Sequence, residues 1–470
     1  MSTRALADPD PFATRLVSAA SGLLREFNQA GVLAAADVHV ARQLGRLAGE
    51  SDPAVLLAVA LAVRAPRLGH VLVDLASIRS TAAVDTEEPI DLDSLPWPEP
   101  NAWLDGVSAS ALVGAEGAGE VRPLRRLGPW LYLDRYWAEE VAVAAALLVR
   151  SAAAPAAVDA DVLAAGLERL FGDQRSGRQS QAAAAAVRQR FAVVAGGPGT
   201  GKTTTVARIV ALLGEQALAA GRALPLVALA APTGKAAARL QEAVHAEAAE
   251  LEVATEIREQ LLGLPATTLH RLLGWRPGSM SRFRHDRRRR LAHDVVIVDE
   301  TSMVSLSLMA RLIDALRDDA RLVLVGDPGQ LASIEAGAVL GDIVGPAARR
   351  PARDVVPAGA EPDTAPGSSG FGAGIVVLER VHRFGGGIAE LATAIRGGDA
   401  EAVLALLRSP PDGVEWIETD VGEDAALEPV RAGALACARR VGEAARSGQA
   451  EEALAALGGF RILCAHRRGP

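Results

Sequence analysis

Cysteine is almost missing from this sequence: Cys437 and Cys464 are the two in 470 residues. That excludes a disulfide framework and a cysteine-based metal site, and it suits a reducing cytoplasm. Long apolar runs are missing too. AVLLAVALAV, Ala54 to Val63, is the nearest approach to a membrane span and falls well short of one. The opening MSTRALADPDPF has no basic stretch leading into an apolar one, so it does not read as a secretion signal. There is no tandem repeat, and aromatic residues are only 3% of the chain. The net charge of −8 argues against a general coating of nucleic acid, yet leaves room for a local basic groove.

Lysine is the most informative scarcity. Of the 49 basic residues only Lys202 and Lys235 are lysines, and the rest are arginine. A compact ammonium fits between phosphate oxygens where a broad planar guanidinium does not, so each lysine marks a position worth explaining. What is plentiful is ordinary. Half the residues are apolar and 23% are charged, as in globular proteins, and the length suggests two or three domains.

Residues 1 to about 150 are rich in Ala and Leu at helical spacing, broken by the acidic, proline-laden VDTEEPIDLDSLPWPEP (Val84 to Pro100). LYLDRYWAEEVAVAAALL (Leu131 to Leu148) reads as a short strand feeding a helix. From about 180 the pattern changes. FAVVA (191 to 195), LPLVALA (224 to 230), DVVIVD (294 to 299) and RLVLVG (321 to 326) are nearly continuous apolar runs. Such runs suit parallel strands buried on both faces, the sheet of an open α/β domain. VVPAGAEPDTAPGSSGFGAG (Val355 to Gly374) reads as a loop or hinge, and IVVL (375 to 378) and FRILCA (460 to 465) as the first strands of a second α/β unit.

Between the first of those strands and a helical run lies GGPGTGKT, Gly196 to Thr203, which matches G-x-x-x-x-G-K-[ST]. Gly196, Gly197, Pro198, Gly199, Thr200 and Gly201 form a turn whose backbone N–H groups can face phosphate oxygens, and the following helix adds partial positive charge. Lys202 is expected to reach the β- and γ-phosphates of ATP, and the Thr203 hydroxyl to ligate Mg²⁺, with Thr204 beside it. A phosphate loop needs a second metal-holding carboxylate on a neighbouring strand, and DVVIVDE supplies Asp299, with Glu300 placed to polarise an attacking water. After the next strand, Gln330 in VGDPGQLASIEAG is an amide that could report the γ-phosphate.

Five further segments follow in order: AAPTGKAAARL, TTLHRLLG, VVIVDETSMV, VGDPGQLASIEAGAVLGDI and VHRFGGGIAELATAI. This ordered set resembles the superfamily 1 helicases, and within them the RecD family, over roughly residues 130 to 470. The resemblance implies an α/β fold in which residues 151–350 form a RecA-like P-loop ATPase domain. A mainly helical N-terminal domain (1–150) precedes it, and an incomplete second RecA-like domain (351–470) follows. It implies an ATP- and Mg²⁺-dependent 5′-to-3′ DNA helicase acting on DNA ends in double-strand-break repair, the alternatives being a stand-alone RecD-like helicase or a truncated nucleotide- and DNA-binding subunit without motor activity. RecB-like and RecC-like subunits would be its partners, the latter docked on the N-terminal domain.

By the same resemblance Gln179 reads the adenine edge, preferred over Gln181 on its spacing to Gly196. Arg383 is the arginine finger. Thr233, Lys235, Thr268 and His270 line a single-stranded DNA track, where Thr233 could instead cap a helix and His270 could sit in the core. Trp275 is the stacking platform picked from the few aromatics. The basic cluster SRFRHDRRRR (Ser281 to Arg290) either touches DNA or a partner or is a solvated loop. Two later family motifs are not found before Pro470, so the sequence reads as a fragment or a truncated gene product. An acid-x-Lys nuclease signature is also missing, since Thr200 and Thr233 stand two residues before the only lysines.

Overall fold

The computed structural model describes residues 16–82, 91–114, 121–153, 157–172, 177–276, 283–330, 335–348, 374–378, 386–418 and 427–463. The chain begins with α1 (Gly22–Gln29), α2 (Ala35–Ala48) and α3 (Pro53–Arg64). α3 contains the most apolar run of the sequence, and its residues 57 to 61 are all at most 1% exposed. Asp52 starts it, accepting the Ala54 N–H at 2.8 Å, and Pro53 occupies the first turn, where no N–H is needed. The run that came nearest to a membrane span is therefore the centre of a small core. No helix among the described residues is long and apolar enough to cross a membrane.

Around α3 lie β1 (Leu72–Asp74), α4 (Ile78–Thr81), α5 (Pro100–Ala109), β2 (Val113–Gly114), β3 (Leu124–Leu127) and β4 (Trp130–Leu133). The four strands form a sheet in the order β1-β4-β3-β2. The expectation of a mainly helical region missed this sheet. Its strands are two to four residues long, and LRRL and WLYL show no polar–apolar alternation to betray them. Gly128, at φ 59°, turns β3 into β4.

Next come α6 (Asp134–Ala152), α7 (Ala160–Phe171) and α8 (Arg178–Arg188), then β5 (Phe191–Gly196), α9 (Lys202–Ala219), β6 (Val227–Ala231) and α10 (Gly234–Glu250). α11 (Thr255–Gly263), β7 (Ala266–Thr268), α12 (Leu269–Leu272), β8 (Val295–Val298), α13 (Leu306–Ala315), β9 (Arg321–Gly326), α14 (Val339–Ala348) and β10 (Ile375–Leu378) complete this part. The six strands are all parallel, in the order β10-β5-β9-β8-β6-β7. Residues alternate between two cores. Ala192 and Val194 of β5 pack with Val210 of α9 and Val244 of α10, while Phe191 and Val193 pack with Leu147 of α6 and Leu312 of α13. Burial on both faces is the reason the strands read as unbroken apolar runs.

Three expectations need correcting here. IVVL, assigned to a second α/β unit, is β10, and it pairs in register with β5, Ile375 opposite Val193 and Leu378 opposite Gly196. Its approach needs Gly374, where a Cβ would sit 2.5 Å from the Phe191 carbonyl oxygen. Four apolar residues announce a strand but not the sheet it joins. Secondly, residues 460–463 of FRILCA are not a strand, and 464 and 465 lie outside the described residues. Thirdly, β8 does not neighbour β5; β9 lies between them.

The chain divides into two units, Met1–Arg383 and Phe384–Pro470, rather than at residue 350. The second contains α15 (Gly387–Gly397), α16 (Ala400–Arg408), α17 (Glu428–Arg446) and α18 (Ala450–Gly458). α17 and α18 pack on each other, yet among their described residues only Ala444 and Ala456 are buried. Of the expected loop at 355–374, all but Gly374 lies outside the described residues.

Candidate functional site

In a parallel sheet every strand points the same way, so the segments after β5, β6, β7, β8 and β9 emerge along one edge. Loops at that carboxyl edge are where open α/β sheets bind ligands. After β5, β8 and β9, a cleft of about 800 Å³ is lined by Lys202, Thr203 and Thr204, by Asp299 and Glu300, and by Gln330.

Gly199 and Gly201 take φ of 76° and 79°, which lets the loop turn on itself before α9 begins. At Gly201 a Cβ would meet the end of the Gln179 side chain, which would have to move from the loop; the positive φ is what requires the glycine. The Gln179 amide donates to the Thr200 carbonyl at 2.9 Å and lines the cleft. Gln181, its rival, is not among the cleft residues. The Thr200 hydroxyl donates to the Gly197 carbonyl at 2.9 Å, bracing the turn.

The Lys202 ammonium donates to the carbonyls of Gly196 at 2.7 Å and Gly197 at 2.9 Å. Burial pushes its pKa below the usual lysine range, opposed by the charges of Asp327, Asp299 and Glu300. A desolvated cation facing three acids can exchange carbonyl partners for phosphate oxygens at little reorganisation cost.

Asp299 is 8% exposed. Burial raises its pKa to about 6; the N–H of Glu300, donating to its Oδ1 at 2.9 Å, works the other way, the Glu300 charge adds to the rise and Lys202 lowers it. Glu300 is the one non-glycine residue with positive φ, 51°, among those described. That conformation costs about 1–2 kcal/mol. Its Oε2 is buried with no hydrogen-bond partner among the described residues. Asp327, 5% exposed, accepts the Gly329 N–H at 2.9 Å and fixes the turn that presents Gln330.

The donor set fits a magnesium nucleotide: one hydroxyl (Thr203), one buried carboxylate and an unpartnered carboxylate oxygen, all oxygen ligands or water-polarisers suited to a hard cation. Sequence reasoning missed Leu170, Phe171, Arg208, Arg239 and Asp327. The first four also line the cleft. Arg208 sits 4.9 Å from the Phe171 ring and bonds Glu247 at 2.8 Å, so it is pinned. Asp327 was legible in VGDPGQ, whereas arginines in an arginine-only background carried no signal.

The segments after β6 and β7 hold the residues expected along a DNA track. Thr233 is exposed, caps α10 and accepts the Ala236 N–H at 3.2 Å; Lys235 is exposed on the same turn. Thr268 caps α12 by accepting the Arg271 N–H at 3.2 Å. His270 is exposed, not in the core, with its ring 5.9 Å from that of Phe283. Phe283 bridges to Trp275, which is 45% exposed. In the basic cluster, Arg287 pairs with Asp314 and Arg290 with Asp318, both at 2.6 Å, so two of its charges face acids of the same domain. Arg383, the expected finger, lies outside the described residues.

Comparison with known proteins extends the resemblance to the amino-terminal region. A model of the RecBCD enzyme subunit RecD N-terminal domain matches residues 29–132, and one of an AAA domain matches residues 179–336. The RecBCD enzyme subunit RecD of Mycolicibacterium smegmatis is 50% identical over 444 residues, 94% of this chain and 71% of that one. The chain belongs to the RecD family. The Mycobacterium tuberculosis RecD is likewise 50% identical, over 96% of this chain and 70% of its own. The ATP-dependent RecD2 DNA helicase of Deinococcus radiodurans matches at 39% over 32% of this chain and 17% of its own. Among solved structures, the Pif1 helicase of Candida albicans overlays at a TM-score of 0.30 and 16% identity, over 57% of this chain and 54% of that one. The RecD family match therefore rests on sequence, and it covers the small amino-terminal sheet as well as the phosphate loop.

Proposed function

We propose that this RecD-family chain is the 5′-to-3′ helicase subunit of a RecBCD-type complex, coupling ATP hydrolysis to movement along single-stranded DNA. The observation that carries the reading is the meeting of Lys202, Thr203, Asp299, Glu300 and Gln330 in one cleft, on the sheet edge that also presents Thr233, Lys235, Thr268 and His270. In this reading Gln179 and the loop orient the nucleotide and Lys202 neutralises its terminal phosphates. Mg²⁺, held by Thr203 and Asp299, would supply charge neutralisation between the phosphates. Glu300, held by its strained backbone with a free carboxylate oxygen, takes a proton from the attacking water, and Gln330 senses the γ-phosphate. Arg383 would supply the arginine finger to the transferring phosphate.

DNA would cross the ends of β6 and β7 through phosphate and stacking contacts, largely independent of sequence and sensitive to salt. The amino-terminal region, residues 1–150, is the proposed docking surface for a RecC-like partner, in the cytoplasm. The test is ATP turnover with and without oligo(dT), followed by co-purification with RecB-like and RecC-like chains. Strong stimulation by single strands supports the motor. Turnover indifferent to DNA contradicts it.

A further inference from the structure

α10 connects the two halves of this arrangement. It leaves the sheet at Ala231, beside the catalytic carboxylates, because the Asp299 N–H donates to the Ala230 carbonyl at 2.9 Å. Its first turn carries Thr233 and Lys235, on the proposed DNA track. Four residues after Lys235, and therefore on the same helix face, stands Arg239. Arg239 is exposed and lines the nucleotide cleft together with Lys202, Asp299 and Glu300.

The two arginines of the cleft differ in their commitments. Arg208 is held by Glu247 and by the Phe171 face. Arg239 has no ion pair or side-chain hydrogen bond among the described residues. Its helix starts from the carboxylate end of the cleft. An uncommitted guanidinium there faces the region where anionic oxygens would collect, and its planar fork suits two oxygens of one phosphate.

We propose that Arg239 binds the phosphate tail of the nucleoside triphosphate, so that the helix presenting Thr233 and Lys235 to DNA also grips the nucleotide. The inference rests on the nucleotide-site reading above. One rigid helix then answers to both ligands, which is a direct path for coupling them.

The test measures binding of a fluorescent non-hydrolysable ATP analogue to the full chain, alone and with oligo(dT), for wild type, Arg239→Ala and Arg239→Lys. Thermal melting confirms that each is folded. Arg239→Ala is expected to weaken the triphosphate analogue about tenfold and to lose the tightening that oligo(dT) brings, with Arg239→Lys recovering part of both. Wild-type affinity in Arg239→Ala overturns the proposal. So does an effect on oligo(dT) alone, which would assign Arg239 to the track instead. If the wild type binds no analogue, the nucleotide-site reading fails, and the two failures are told apart.

Discussion

The nucleotide cleft and the proposed DNA track occupy the same sheet edge but hold their polar groups differently. In the cleft, the chain places charges against their own preference. Lys202 and Asp299 are desolvated, and Glu300 sits in a left-handed conformation with an unpartnered oxygen. On the track, Thr233 and Thr268 satisfy helix N-termini, as they would in any protein, while Lys235 and His270 are simply exposed. Strain and burial at a polar cluster have no structural use, so they point to chemistry. Caps do have one, so the threonines identify the track only through their position.

The sharpest way to break this contrast is Lys202→Ala. DNA-stimulated ATP turnover, measured by phosphate release, should fall by about 10²–10³-fold or more. Near-wild-type turnover would mean that the cleft is not the working site. Glu300→Gln should lower turnover by about 10²-fold while leaving affinity for a non-hydrolysable analogue intact, because the carboxylate acts on water rather than on the nucleotide. Weakened binding with unchanged turnover would assign Glu300 a different task.

The folded pKa of Asp299, about 6, lies above its ordinary 3.8, so the folded chain holds this proton more tightly than the unfolded one. The group's contribution is therefore fully present below the ordinary value and is lost as pH rises through about 6. In EDTA-containing buffer at pH about 8, Asp299→Asn should stabilise the fold by on the order of 1–3 kcal/mol, with the gain shrinking toward acid pH. Chemical denaturation at several pH values reads this directly, and a variant destabilised throughout would count against the buried charge. The smallest effect belongs to the track. Thr233→Ala should cost about 1 kcal/mol of stability through the lost cap, and Thr233→Ser should restore it. If oligo(dT) affinity is unchanged in both, capping is the whole of its role, and the track narrows to Lys235, Thr268 and His270.

The glycine turn from Gly196 to Thr203 was legible in the sequence, because it is local. The glycines, Lys202 and Thr203 are consecutive, and a loop between strand and helix needs no distant partner to define it. Buried parallel strands announced themselves for the same reason. The small amino-terminal sheet was not legible, since two- to four-residue strands without alternation draw their stability from packing on α3 rather than from their own pattern. Nor was the place of IVVL, which is a strand by composition but a neighbour of β5 only by tertiary pairing.

Sequence by itself determined that this chain folds a phosphate loop on a parallel sheet, because glycine conformation, strand burial and helix start are fixed by neighbouring residues. Which side chains meet there was a tertiary decision. Gln330, from the turn after β9, and Arg239, from α10, come to the cleft of Lys202 from separate parts of the chain, and strand order alone sets β9 between β5 and β8. Contacts of that kind depend on how layers stack, and no window of sequence contains both partners.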